Sequence, residues 1–180
     1  DGRWLAASQR WDALGVTIRG GIAASQDGWT WRWLATGTAL TMTIGDLVAT
    51  STGSVVAVGR AWPGSAWVLR WRPDGSVEER VLDGMAPFED VAEVAGVLLA
   101  VGHGVAATSP DGVDWTPVPP PGAPELRGVA SDGEVAVAVG AHGALRSWTP
   151  AAGWQDLGRP TGADLAAVTF GHGIWVAVGS

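Results

Sequence analysis

The side chains of this chain that could act on a ligand are few. Carboxylates occur as neighbours at Glu78-Glu79 and Glu89-Asp90, imidazoles at His103, His142 and His172, and indoles near cations at Arg10-Trp11 and Arg60-Ala61-Trp62. Glycosidic hydrolysis needs two carboxyl groups about 5–10 Å apart. Neighbours on a strand point to opposite faces, so both acidic pairs read as solvated strand ends. No G-x-S-x-G elbow or phosphate loop is present. Gly102-His103-Gly104 and Gly171-His172-Gly173 read as turns between strands, with no helix after them to aim amides at a phosphate. With no Cys there is neither a cystine framework nor a thiolate zinc site. The expectation is a chain with no catalytic residue, no metal ligand and no cofactor.

Composition sets the wider limits. The chain has 180 residues, 27 of them Gly and 11 Pro, with 12 Trp against 2 Phe and no Tyr. Such a profile favours short elements joined by many turns, and the length is enough to bury a core without disulfides. Lys and Asn are missing as well, as in a GC-rich coding sequence, so all 11 basic residues are Arg and the net charge is −7. Nucleic acid is thereby excluded as a non-specific partner, since that binding needs clustered cations. The longest nearly apolar run, Val94 to Gly102, is far short of the roughly 20 residues that cross a bilayer as a helix. No membrane span is expected. The chain opens at Asp1 without Met, as a processed product or an excerpt would.

Five related strings run through the sequence: WLAAS ending at Ser8, VVAVG at Gly59, LLAVG at Gly102, VAVG at Gly140 and WVAVG at Gly179. Their mean spacing is about 43 residues, a length typical of repeat architectures. Before each lies a Gly at a nearly constant offset (Gly2, Gly53, Gly96, Gly133, Gly173), and before that another apolar segment, as in LAAVTF from Leu165 to Phe170. After each comes a third segment and a second turn, as in GVAATSPDGVDW from Gly104 to Trp115. Each unit therefore offers four short strands, A to D, which is the signature of a propeller blade. The expected fold is an all-β propeller of four-stranded antiparallel blades in one domain over 1–180. Its approximate repeats are 1–43, 44–86, 87–124, 125–163 and a partial 164–180. Gly, Pro and β-branched residues interrupt every window long enough for a helix. Two arrangements remain open: a ring of four, in which the last A and B strands complete the blade whose C and D strands come from residues 20–35, or part of a larger ring.

Ser25-Gln26-Asp27-Gly28-Trp29-Thr30-Trp31 and Ser109-Pro110-Asp111-Gly112-Val113-Asp114-Trp115 share the pattern S-x-D-G-x-x-W. The pattern resembles the Asp-box of sialidase-like (BNR-repeat) propellers, shortened by one residue between Asp and Trp. Together with the string from Leu165 to Gly179, it makes the chain similar to the Asp-box repeat proteins that include the photosystem II assembly factor group. The resemblance covers nearly the whole chain, most closely in the third to fifth copies. Asp in such a turn accepts backbone amides, Gly supplies positive φ, and Trp packs between sheets. The second copy keeps Asp74-Gly75 but has Val77 at the Trp position, and the fourth has Pro150-Ala151-Ala152-Gly153. Turn chemistry tolerates such exchanges where a ligand site would not, so Asp27, Asp74 and Asp111 read as structural. The resemblance also raises a sialidase reading, which fails because those enzymes use a Tyr nucleophile and this chain has none.

Candidate binding residues follow from the A-to-D register. His103 and His142 fall in equivalent B-to-C turns, and His172 falls in an A-to-B turn at the opposite end, which disfavours a three-His metal site. Trp4 and Trp175 share a B-strand position, and Trp31, Trp115 and Trp154 close C-to-D turns, so these five read as packing between blades. Trp11 and Trp62, near Arg10 and Arg60, read as parts of long B-to-C insertions at the end that also carries the D-to-A connection with Arg159. Loops on a rigid scaffold are where partners dock. A non-catalytic scaffold presenting these loops to a protein partner is the expected function. By family analogy it would be bacterial, and exported or envelope-associated. A carbohydrate-binding module stacking sugars on Trp11 and Trp62 is the alternative, and a degenerate glycoside hydrolase is a remote one.

Overall fold

The computed structural model describes residues 4–11, 18–37 and 42–180, with backbone alone for 8–11 and 18–20. Five antiparallel sheets follow one another along the chain. The first holds β1 (Trp4–Trp11), β2 (Ile18–Ser25) and β3 (Arg32–Thr36). Next come β4 (Met42–Ala49), β5 (Val55–Ala61), β6 (Ser65–Trp71) and β7 (Val77–Leu82). The third sheet holds β8 (Phe88–Val94), β9 (Val97–Gly102), β10 (Ala106–Ser109) and β11 (Thr116–Pro117). The fourth holds β12 (Leu126–Ser131), β13 (Ala136–Gly140), β14 (Leu145–Thr149) and β15 (Gly153–Asp156), and the last pairs β16 (Leu165–Gly171) with β17 (Ile174–Gly179). Strand order in each sheet follows chain order, as successive hairpins require. The only helical turn among the described residues is a 3-10 turn at Ala141–Gly143.

The second, third and fourth sheets each take both of their neighbours as cover. Successive residues of a strand face opposite ways, and in β5 the run Val55–Gly59 is buried on both faces. Val56 and Val58 face the third sheet, packing with Phe88, Val91 and Leu98, while Val55 and Ala57 pack with Ile22 and Met42 on the other side. The pattern recurs one sheet on: Leu99 and Val101 pack with Leu126 and Val129, and then Val137 and Val139 pack with Leu165. No single sheet could bury its own B strand. The core is therefore a series of layers between blades.

The glycine that closes four of the five repeated strings has a steric cause. A Cβ on Gly59, Gly102, Gly140 or Gly179 would strike the carbonyl oxygen of Thr43, Pro87, Glu125 or Asp164 respectively, where the A strand of the same blade begins. In the first copy Ser8 stands at this position, in β1, the edge strand of its sheet among the described residues. All four A strands also carry a register shift at one equivalent place, between Ile44 and Asp46, Phe88 and Asp90, Leu126 and Gly128, and Leu165 and Ala167. Bulges of this kind bend a strand and re-aim its side chains.

Two expectations are corrected by the strand lengths. Trp11 is not in a long insertion but ends β1, where it pairs with Ile18, and Arg10 pairs with Arg19; their side chains lie outside the described residues. Trp62 occupies a tight turn of residues 62–64, because β5 runs on through Arg60 to Ala61 and pairs with β6 from Ser65. Nor does β17 complete the first sheet: it pairs with β16, and the place beside β2 is held by β1. Gly140→Ala is expected to destabilise the chain by about 3 kcal/mol, because backbone must move to admit the methyl group. Gly171→Ala, which meets nothing within 4 Å, should stay within about 0.5 kcal/mol by urea denaturation.

Candidate functional site

The A-to-B and C-to-D turns gather at one end of the blades. In the first sheet Ser25 Oγ accepts the Gly28 amide at 2.8 Å and donates to Asp27 Oδ1 at 2.9 Å. Asp27 Oδ1 also accepts the amides of Trp29 and Thr30 at 2.8 and 2.7 Å. The third sheet repeats this bond for bond: Ser109 Oγ takes Gly112 at 2.7 Å, and Asp111 Oδ1 takes Val113 and Asp114 at 2.9 and 3.0 Å. Gly28 and Gly112 hold φ of 78° and 80°, the left-handed region that glycine enters freely. Asp74 keeps one such bond, from the Ser76 amide at 2.8 Å, and Gly75 the positive φ. In the fourth sheet Thr149 Oγ1 takes the Ala152 amide at 3.1 Å, the position of the missing Asp-Gly. Amide donors hold the Asp27 carboxyl well below the usual carboxylate range, with Thr30 and Trp29 first among them. One oxygen of each carboxylate, Oδ1, is thus occupied by the turn itself.

The third-sheet loop is also seated on its neighbour. Val113 is buried, Trp115 packs against Phe88, and the Arg70 guanidinium of the second sheet donates to the Asp111 carbonyl. Trp154 packs with Trp148 and donates to the Val118 carbonyl at 2.6 Å, and Trp175 packs against the fourth sheet. Trp4 and Trp31 occupy the cognate positions of the first sheet yet remain exposed. Packing between blades therefore accounts for three of the five repeated indoles.

Inner strands from four successive blades line an open cleft of about 600 Å³. Here the acidic pair Glu89-Asp90 is not a solvated strand end. Asp90 is hydrogen-bonded to Asp46, and its two oxygens accept the amides of Val91 at 2.8 Å and Val129 at 2.7 Å. One carboxyl group thus ties the second, third and fourth blades together. Glu78 and Glu79 are partnered too, Glu78 with Arg72 at 2.6 Å and Glu79 by accepting from Trp67 Nε1 at 2.7 Å.

At the end of the B-to-C turns and D-to-A connections, a charged band crosses the third to fifth sheets. His103 lies 3.7 Å from Glu89 and 3.5 Å from Glu125. Glu125 pairs with Arg127 at 2.8 Å, and Arg127 pairs with Asp164 at 2.9 Å. Asp164 in turn accepts the His142 amide at 2.8 Å. The band links His103 and His142 through three residues that no motif marked. Trp62 is 76% exposed at this end. Arg60 and Arg159 are exposed and form no ion pair among the described residues. His172 sits in the turn between β16 and β17, at the opposite end. Among the described residues no helix is long and apolar enough to cross a membrane.

Antiparallel four-stranded sheets packed face to face, with their first strands lining one cleft, are blades of a β-propeller. No protein-family model matches the chain, and no curated protein does. Solved structures do match. A chain of a nidogen/laminin complex aligns over 90% of this chain and 68% of its own length, at 16% identity and a TM-score of 0.59. The computationally designed Ika8 protein aligns over 95% of this chain at 16% identity, with a TM-score of 0.64. YCF48 bound to a D1 peptide aligns over 86% at 18% identity, with a TM-score of 0.60. The chain spans 54% of each of the last two, and at these identities the likeness is one of fold.

The Asp46–Asp90 pair makes stability depend on pH. Burial, then the hydrogen bond to and charge of Asp46, push the Asp90 carboxyl from 3.8 up to about 8. The folded chain keeps a proton that the unfolded chain releases, so the contribution of Asp90 to stability is full below about pH 4 and falls as pH rises through that window. Asp27, Asp74, Asp111, Asp132 and Asp164 are shifted downward. The stability they contribute is lost only as pH falls below the ordinary carboxylate range, which leaves the upper window to Asp90. Asp46→Asn, whose amide can donate to an ionised Asp90, should flatten the decline, which can be at most about 1.4 kcal/mol per pH unit. Urea denaturation across pH, giving the same slope for both chains, would contradict the assignment.

Proposed function

We propose that this chain is a non-catalytic protein-interaction scaffold of the Asp-box propeller type, acting at an exported or envelope location. The observation that carries the reading is the charged band Glu89–His103–Glu125–Arg127–Asp164–His142. It is held on turns and strand ends at one end of a rigid stack, where loops are free to differ while the blades stay fixed. Its members satisfy one another, so a partner meets an ordered, predominantly acidic surface without having to order it first. The nidogen/laminin complex and YCF48 bound to a D1 peptide, each in company with a protein or peptide partner, support this reading as companions in fold. The turns that resemble the Asp-box support it differently, since one oxygen of each of the Asp27 and Asp111 carboxylates is taken up by backbone amides, the role of a fastening.

The exposed indole of Trp62 at the same end favours one second reading, a sugar-stacking surface. Affinity enrichment from the source cells, run beside a glycan array, separates the two. The scaffold reading predicts a protein partner retained by the wild-type chain at low salt and released by Glu89→Lys, together with a blank array. Array binding that disappears in Trp62→Ala would replace it with the lectin reading, and turnover of an aryl glycoside would overturn the non-catalytic assignment.

A further inference from the structure

Asp-Gly pairs recur through the repeats, and the fold places the same dipeptide in different surroundings. Five lie among the described residues: Asp27-Gly28, Asp74-Gly75, Asp83-Gly84, Asp111-Gly112 and Asp132-Gly133. A sixth, Asp1-Gly2, lies outside them. Such a pair carries an electrophile and a nucleophile one ring closure apart. The side-chain carbonyl carbon of Asp can be reached by the next amide nitrogen, and glycine puts no Cβ in the way of that approach. Whether the two atoms meet is decided by what already holds them.

Four of the pairs are held at both groups. In Asp27-Gly28 and Asp111-Gly112, Asp Oδ1 takes two amides of the turn while the glycine amide donates to Ser25 Oγ at 2.8 Å or to Ser109 Oγ at 2.7 Å. Asp132 Oδ1 takes the amides of Glu134 and Val135 at 2.9 and 2.7 Å, and the Gly133 amide donates to Ser131 Oγ at 2.9 Å. Asp74 Oδ1 takes the Ser76 amide at 2.8 Å, and the Gly75 amide donates to the Arg72 carbonyl at 2.9 Å. Asp83-Gly84 differs. It forms the middle of the turn after β7, which the Met85 amide closes on the Leu82 carbonyl at 3.1 Å. Both residues are exposed, and neither the Asp83 carboxyl nor the Gly84 amide has a hydrogen-bond partner among the described residues. A Cβ built on Gly84 would meet nothing within 4 Å, so the space around the amide is open.

We infer that Asp83 is the site at which this chain isomerises spontaneously to isoaspartate. The Gly84 nitrogen attacks Cγ of the protonated Asp83 carboxyl. A C–N bond closes the five-membered succinimide, and the carboxyl hydroxyl leaves with the amide proton as water. Solvent water then opens the ring at either carbonyl, which restores Asp83 or routes the backbone through the side-chain carbon as isoaspartate, with no net change in mass. The product lengthens the backbone by one carbon between Leu82 and Met85, while the Met85 carbonyl is tied to the Ala66 amide of β6 at 2.8 Å. That turn lies in the D-to-A connection leading to Glu89, so the modification falls at the end of the blades that carries the charged band.

Peptide mapping of the chain after weeks in warm, mildly acidic buffer tests this, with fragmentation that separates aspartate from isoaspartate. Isoaspartate should accumulate at Asp83 about tenfold faster than at any of the other four pairs, each of which must first break a hydrogen bond at the glycine nitrogen. In guanidinium chloride the five should react at similar rates, because unfolding removes the protection. Asp83→Glu changes an exposed residue and would need a six-membered ring. It should keep the thermal midpoint and bring total isoaspartate down to the slow background of the other pairs. Equal accumulation at the five pairs in the folded chain, or a leading site other than Asp83, would overturn the proposal. So would the same lead for Asp83 in denaturant, which would assign it to local sequence and not to the fold.

Discussion

Everything in this molecule depends on the fact that a B strand has two apolar faces and its own sheet can cover neither. A lone amphipathic sheet solves the problem by leaving one face in water. Here the repeated string alternates Val, Ala and Leu with no polar side, so a blade buries both faces of its B strand only as a slice between two others. Burial within the chain follows from that arithmetic of neighbours. β13 is buried through its full length, and β5 and β9 through Val55–Gly59 and Leu98–Gly102, while β17, with nearly the same residues as β13, is exposed along all of its length but Trp175. The strand does not carry its burial with it.

The same constraint explains which glycines and acids are fixed. Stacking blades around a shared cleft crowds the A strand against the end of the B strand, and the closing glycine is the residue that yields the space. The crowding also brings A strands of adjacent blades close enough for one side chain to serve several. Asp90 takes that place, accepting amides from its own strand and from the next blade while hydrogen-bonded to Asp46 of the blade before. The gain is a cross-tie between layers that otherwise meet only through apolar contact. Its cost is a carboxyl group whose pKa burial and Asp46 push well above the ordinary carboxylate range.

The repeat was legible because it is local: a turn, a strand and the Gly that ends it recur together, and S-x-D-G-x-x-W states its own hydrogen bonds. Strand length was less legible. Gln9-Arg10-Trp11 and Arg60-Ala61 lack an apolar alternation, yet the hairpin ladder continues through them, so polar strand ends were read as insertions. The charged band was hidden for a different reason. Glu125, Arg127 and Asp164 carry no motif, since their meeting with His103 and His142 is made by the stacking of blades and by no spacing along the chain. The Asp46–Asp90 pair did leave a trace, because both residues stand at the same place in successive A strands, and aligning the repeats on their bulges would have found it.

Amide hydrogen exchange on the dilute chain tests the central claim directly, by comparing β13 with β17. The two strands share the string V-A-V-G, each pairs with an A strand through the same hairpin, and they differ in the C strand and blade beyond. If neighbouring blades supply the stability, the amides of β13 should exchange only through large-scale opening, while those of β17 exchange by local fraying many times faster. Equal protection in the two strands would contradict the account, and would place the stability of each blade within its own hairpins.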